Sequence, residues 1–181
     1  MKRIKLLLIN ILLAVLVLVG CSAVTYEYTS SPESGRLETR LFEAIFTPEK
    51  DDANYFAWFK LEIRNLSDSS LEIDWNQTRY LMDGKNRGGF AFKGIVPATI
   101  KNGTIPNETI APGQTFLKQI SPVAKIAMAE RKDYSAGKEK SGIYRGILPP
   151  GENGIVLAIL ANGQLVRKKL VVVITEEKKT K

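Results

Sequence analysis

The stretch Asn54 to Asn65, NYFAWFKLEIRN, alternates with a period of two, and no other pattern limits the fold of this chain more. Tyr55, Ala57, Phe59, Leu61 and Ile63 fall on one side, and Lys60, Glu62 and Arg64 on the other. A helix, with its period of 3.6, would scatter these apolar residues around its surface; a strand buries them all on one face. The flanking sequence repeats the theme. NLSDSS (65–70) is a turn, rich in side chains that hydrogen-bond their own backbone. LEIDWNQTRYLMDG follows, with Leu71, Ile73 and Trp75 expected inward and Glu72, Asp74 and Asn76 outward. A bend is predicted near Asn76 and Thr78, with the strand resuming through Tyr80 and Met82.

Further strands are bounded by further turn signals. Before them, RLETRLFEAIFTP (36–48) is strand-like up to Pro48. DGKNRGG (83–89) supplies glycine for positive-φ positions, FAFKGIV returns, and loop 97–113 ends on Pro112-Gly113 before QTFLKQIS. Segment 122–142 predicts a short helix over PVAKIAMAERKDY, then an exposed loop over SAGKEKSG. The chain closes on a hairpin: GIVLAILA, the two-residue turn Asn162-Gly163, and QLVRKKLVVVIT. Arg167, Lys168 and Lys169 inside that last run mark an edge protected against aggregation. Seven to nine strands with little helix predict an all-β fold, an antiparallel immunoglobulin-like β-sandwich, with a small barrel as the alternative.

The amino terminus obeys different rules. Three positive charges in Met1–Lys5 precede an apolar block, Leu6 to Val19, broken only by Asn10. At ~1.5 Å per residue its fourteen residues reach ~21 Å as a helix, short of a ~30 Å hydrocarbon core. A positive region, a short apolar region and small residues after it predict a secretory signal peptide; a short transmembrane helix is the alternative. Leu18-Val19-Gly20-Cys21 resembles the lipobox of bacterial lipoproteins. That resemblance implies diacylglycerol on the Cys21 sulfur, cleavage between Gly20 and Cys21, and often acylation of the new amino terminus. Two or three acyl chains anchor a protein stably where one does not. Ser22 follows the cysteine, and the family rule then implies the outer membrane, facing the periplasm, if the host has two membranes. The stretches LEIRNLSDSSLEIDWNQTRY and TIPNETIAPGQT also resemble a group of bacterial envelope lipoproteins with immunoglobulin-like domains. The expected organisation is a signal peptide at 1–20, a lipidated tether at 21–36, a sandwich at 37–176 and a charged tail at 177–181.

Cys21 is the only cysteine, so no disulfide can form within the chain and stability must come from the core. Loss of Lys2, Arg3 and Lys5 with the signal lowers the formal net charge from +7 to +4. The basic groups Arg131-Lys132, Lys138, Lys140 and Lys178–Lys181 are expected as solvated surface, and no aromatic-interleaved basic stripe predicts nucleic-acid binding.

The chain has no histidine, which removes Ser-His-Asp and Cys-His catalysis and histidine-based zinc sites. Lys138, Lys140 and Ser141 offer a serine–lysine pair, but in an expected exposed loop, where lysine keeps its ordinary pKa. Glu43, Glu62, Glu72 and Asp74 fit the outward sides of strands, and no pair is set at a glycosidase separation. DGKNRGG lacks the repeated acids of a calcium loop. Sequons begin at Asn65, Asn76, Asn102 and Asn107, where turn chemistry is the expected role. Tyr26, Tyr28 and Tyr134 lie in polar surroundings. Trp75 shares a face with Leu71 and Ile73 and is expected in the core, whereas Trp58 is expected on the outer face as a surface contact. The sequence therefore predicts no catalytic residue, metal or cofactor. It predicts a lipid-anchored, non-enzymatic interaction or assembly module with an envelope protein or glycan partner; an envelope glycan or small-ligand binding protein and a hydrolase are the alternatives.

Overall fold

A computed structural model describes residues 24–50, 54–92, 95, 102, 105–133 and 138–180, with side chains except at 127–145 and 180. The signal segment and Cys21 lie outside the described residues, as does Tyr134. Contacts divide the chain into two units, one of them Tyr28–Glu176, which holds the core and the groove described below.

The fold is all-β. One sheet runs in the order β1 (Val24–Ser31), β14 (Gln164–Thr180), β13 (Gly151–Ala161), β5 (Leu71–Ile73) and β9 (Glu108–Ile110). In the same sheet β6 (Arg79–Met82) also pairs with β13, and β7 (Lys85–Asn86) pairs with β6. The second sheet runs β2 (Gly35–Glu38), β3 (Phe42–Lys50), β4 (Phe56–Asn65), β10 (Thr115–Pro122) and β8 (Phe90–Phe92). Neither sheet closes into a barrel, and together they make an antiparallel β-sandwich. A two-stranded hairpin, β11 (Ile126–Asp133) with β12 (Lys138–Arg145), forms a separate sheet.

The core is made where the two sheets bury their period-two faces. Phe42, Ala44, Phe46, Phe59, Leu61 and Ile63 come from β3 and β4. Ile73, Tyr80, Ile155, Leu157, Ile159 and Val172 come from the first sheet. Phe46 stacks on Phe59 at 4.1 Å between ring centroids, and Phe59 meets Tyr80 from the first sheet at 6.4 Å. The alternation read in Phe59, Leu61 and Ile63 is observed. It breaks at Ala57, where a bulge opposite Glu49 and Lys50 carries Phe56 into the core instead.

Asn162-Gly163 forms the closing turn as read, with φ of 50° and 74°, joining Ala161 to its partner Gln164. Asp83-Gly84, with φ of 50° and 72°, makes the same kind of turn between β6 and β7. Other expectations need correction. The tether at 21–36 is replaced from Val24 onward by β1 and the start of β2. Its serines and glycine suggested a solvated linker, but Val24, Tyr26 and Tyr28 alternate along a strand, and Tyr28 packs into the core. The charged tail at 177–181 likewise continues β14 as far as Thr180. The helix and loop expected over 122–142 are instead a single 3-10 turn at Val123–Lys125 followed by β11 and β12. The described residues hold fourteen strands rather than seven to nine, because β1, β11 and β12 were not expected and the longer runs break into short pieces. The edge expected at Arg167, Lys168 and Lys169 is corrected: β14 lies between β1 and β13, and these residues pair with Ala158, Leu157 and Val156. Thr25 donates to the Lys179 carbonyl and Tyr28 to Glu176, so β1 lies along the far part of β14.

Candidate functional site

Along β13, strands β5 and β6 are one run interrupted. Ile73 pairs with Ile159 and Arg79 with Val156, so five residues on one side span only two on the other. The three extra residues, Trp75 to Gln77, leave the ladder in a tight excursion flanked by Asp74 and Thr78, which both still bond Ala158. Asp74 closes it: its carboxylate accepts from the Gln77 backbone N–H at 3.0 Å and from the Gln77 side-chain amide at 2.8 Å. Thr78 N–H and Oγ1 both donate to the Asp74 carbonyl. Ala158 N–H donates to Thr78 Oγ1 at 3.2 Å, a hydroxyl standing in for the carbonyl that the interrupted ladder withholds. Asp74 is 9 % exposed, so the outward position expected for it is corrected: once the run leaves the ladder, period-two alternation no longer assigns faces. Trp75, at 1 % exposure, is in the core as expected.

The excursion meets a second irregularity. Arg87 N–H donates to the Tyr80 carbonyl and Tyr80 N–H donates to the Gly88 carbonyl, so Arg87 and Gly88 together face Tyr80. Gly88 sits at φ 102°, a conformation that suits glycine. Such bulges bend a strand and re-aim its side chains. Between the excursion and the bulge lies an open groove of about 470 Å³. Trp75, Phe90 and Ile105 supply an apolar floor, and Val123 and Ala124 an apolar wall. Arg79 and Arg87 stand on its rim beside the Gly88-Gly89 backbone. Asn76 pins one side by a reciprocal pair with Ile105, its amide donating to the carbonyl at 2.7 Å and its oxygen accepting from the N–H at 2.9 Å.

Trp75 is held from behind. Its indole N–H donates to Glu108 Oε2 at 2.8 Å, and the other oxygen of that carboxylate pairs with Lys118. The Lys118 ammonium lies 3.9 Å from the Phe92 ring centroid, 5.6 Å from Phe116 and 5.9 Å from Trp75. A cation seated among three rings and bonded to a carboxylate is well compensated for burial, and it fixes the indole plane. Lys118, Glu108, Arg79 and Arg87 were not singled out from sequence. Each looks like an ordinary surface charge in a strand or turn, and only the register between distant strands brings them to Trp75.

The surface contact expected at Trp58 is corrected. It does face away from Phe59, as alternation predicts, but it is 8 % exposed and its indole donates to Glu49 Oε2 at 2.9 Å. Glu49 pairs directly across from it in the ladder and also meets Lys60 at 3.5 Å. Lys138, Lys140 and Ser141 fall on β12, opposite Asp133, Arg131 and Glu130, not in a loop. Glu43 lies opposite Arg64, and Glu62 opposite Ile45. Asn65, wholly buried, donates to the Ser69 and Ile110 carbonyls and accepts from Ser67, which is the turn role expected of it. No metal-binding group of three His, Cys, Asp or Glu occurs among the described residues. No protein-family model, curated protein or solved structure matches the chain.

Proposed function

We propose that this chain is a lipid-anchored cell-envelope protein whose β-sandwich serves as a non-enzymatic interaction module. The observation that carries the anchor is Leu18-Val19-Gly20-Cys21 closing an apolar run too short to span a membrane. Lipid on Cys21 tethers the domain to the membrane; cleavage after Gly20 frees it from the signal. The sandwich supports binding through its groove, which combines an apolar floor with two arginines among its described lining residues. That groove also favours the second reading, an envelope protein that holds a glycan or small ligand. Cys21→Ser tests the anchor. The variant is expected to lose incorporation of labelled fatty acid and to retain its signal peptide; unchanged labelling would refute the anchor. Cross-linking in intact cells, with identification of what is captured, tests the partner.

A further inference from the structure

We infer that the groove between Asp74–Thr78 and Arg87–Gly89 binds an oxyanion, a carboxylate or phosphate, carried on a compact apolar body. The inference rests on reading the domain as a binding module, and it is independent of the anchor. Three features converge. First, the charge in the groove is not neutralised. Lysines 60, 118, 169 and 179 each pair with a glutamate, whereas Arg79 and Arg87 have no acidic partner among the described residues. Arg79 spends one N–H on the Thr78 carbonyl at 3.0 Å, and Arg87 makes no side-chain hydrogen bond there. A guanidinium carries five donors in a planar fork matched to two oxygens of a carboxylate or phosphate. Among the described residues, only the Thr78 carbonyl takes one of those donors.

Second, most of the described lining is apolar beside the two arginines. Trp75 and Phe90, each 1 % exposed, and Ile105, at 8 %, form its deep side, and Val123 and Ala124 give it apolar surface nearer to solvent. Its volume of about 470 Å³ lies in the range of small-ligand sites. Third, the site is stiff. Asn76 ties Ile105 to the excursion, Asp74 and Thr78 close the excursion, and Glu108 with Lys118 clamps the indole. Such a site needs little reordering to bind, which favours small ligands of modest contact area.

The test is calorimetric titration of the full chain, purified in mild non-ionic detergent, with phenyl phosphate, benzoate, phenol and inorganic phosphate. Phenyl phosphate or benzoate is expected to bind at least tenfold more tightly than phenol or inorganic phosphate, and whichever is tighter names the oxyanion. Arg87→Gln and Arg79→Gln are each expected to weaken that binding by about tenfold, the scale of a lost charge-assisted hydrogen bond. Arg87 is exposed, so its variant should retain the wild-type melting temperature and serves where Arg79→Gln does not. Equal binding of phenol and phenyl phosphate would overturn the oxyanion and leave a neutral-ligand site standing. Equal binding of inorganic and phenyl phosphate would overturn the apolar half. No binding by any of the four would overturn both this inference and the small-ligand reading.

Discussion

Asp74 and Tyr80 show how single polar groups hold an irregular stretch of sheet. Asp74 accepts two hydrogen bonds from Gln77 at the mouth of the excursion, much as a capping residue does at a helix start. Asp74→Ala is expected to cost ~1–2 kcal/mol, more than the ~0.5 kcal/mol typical of a free surface acid. Urea denaturation should show that loss, and a midpoint unchanged from wild type would return Asp74 to the surface. Tyr80 lies in the core, and its hydroxyl donates to Asn153 Oδ1 at 2.5 Å. Burial pushes its phenol above the ordinary value of 10.0, and the charge of Asp83 adds to the rise. The folded state therefore favours the neutral phenol. Its contribution to stability is complete below the unfolded value and is lost as pH rises from there towards the native one. Tyr80→Phe is expected to be less stable near neutral pH, because Asn153 loses a partner, yet to lose less stability between about pH 8 and about pH 11. Denaturant melts at the two pH values check this; parallel losses in both proteins would contradict it.

At the scale of elements, the regular parts were legible and the irregular ones were not. Phe59, Leu61 and Ile63 announced their face because a ladder without interruption fixes every second residue. Asn162-Gly163 announced its turn because few residues adopt positive φ at two successive positions. The groove was hidden because it exists only where ladders fail: a three-residue excursion beside β13 and a bulge after β7. Trp58 was misjudged for a related reason, since alternation gives a face but not what covers that face. Gly154 is another residue whose meaning lies in packing between elements. It pairs with Val171, and a methyl placed on it would sit 2.8 Å from Val171 Cγ1 and 2.9 Å from the Leu170 carbonyl oxygen. Backbone oxygen in a central ladder cannot step aside cheaply. Gly154→Ala is expected to destabilise the domain by ~1–3 kcal/mol, as overpacking does. Thermal melting of the variant reads the cost, and a stability gain would show that β13 and β14 can separate there.

For the whole molecule, the decisive question is where the domain begins. Sequence composition placed the boundary at Leu37, with everything before it a tether. In the structure Tyr28 belongs to the core and its hydroxyl donates to Glu176, and Gly35 lies against the Val171 backbone, where a Cβ would come within 2.9 Å of the carbonyl oxygen. A fragment of residues 37–176 lacks all three contacts. It also removes β1 from beside β14 and Gly35 from beside Val171, next to the run Val171 to Ile174, which has high strand propensity and no charge. An uncovered edge of that composition pairs readily with other chains. Residues 24–180 are therefore expected to melt as one cooperative, strand-rich transition without help from any disulfide. Residues 37–176 are expected to melt at lower temperature and to form oligomers that grow with concentration. Circular dichroism and sedimentation of the two fragments side by side decide the matter. Equal melting temperatures with both fragments monomeric would show that β1 adds nothing to the fold, and would restore the segment before Leu37 to the role of a simple tether.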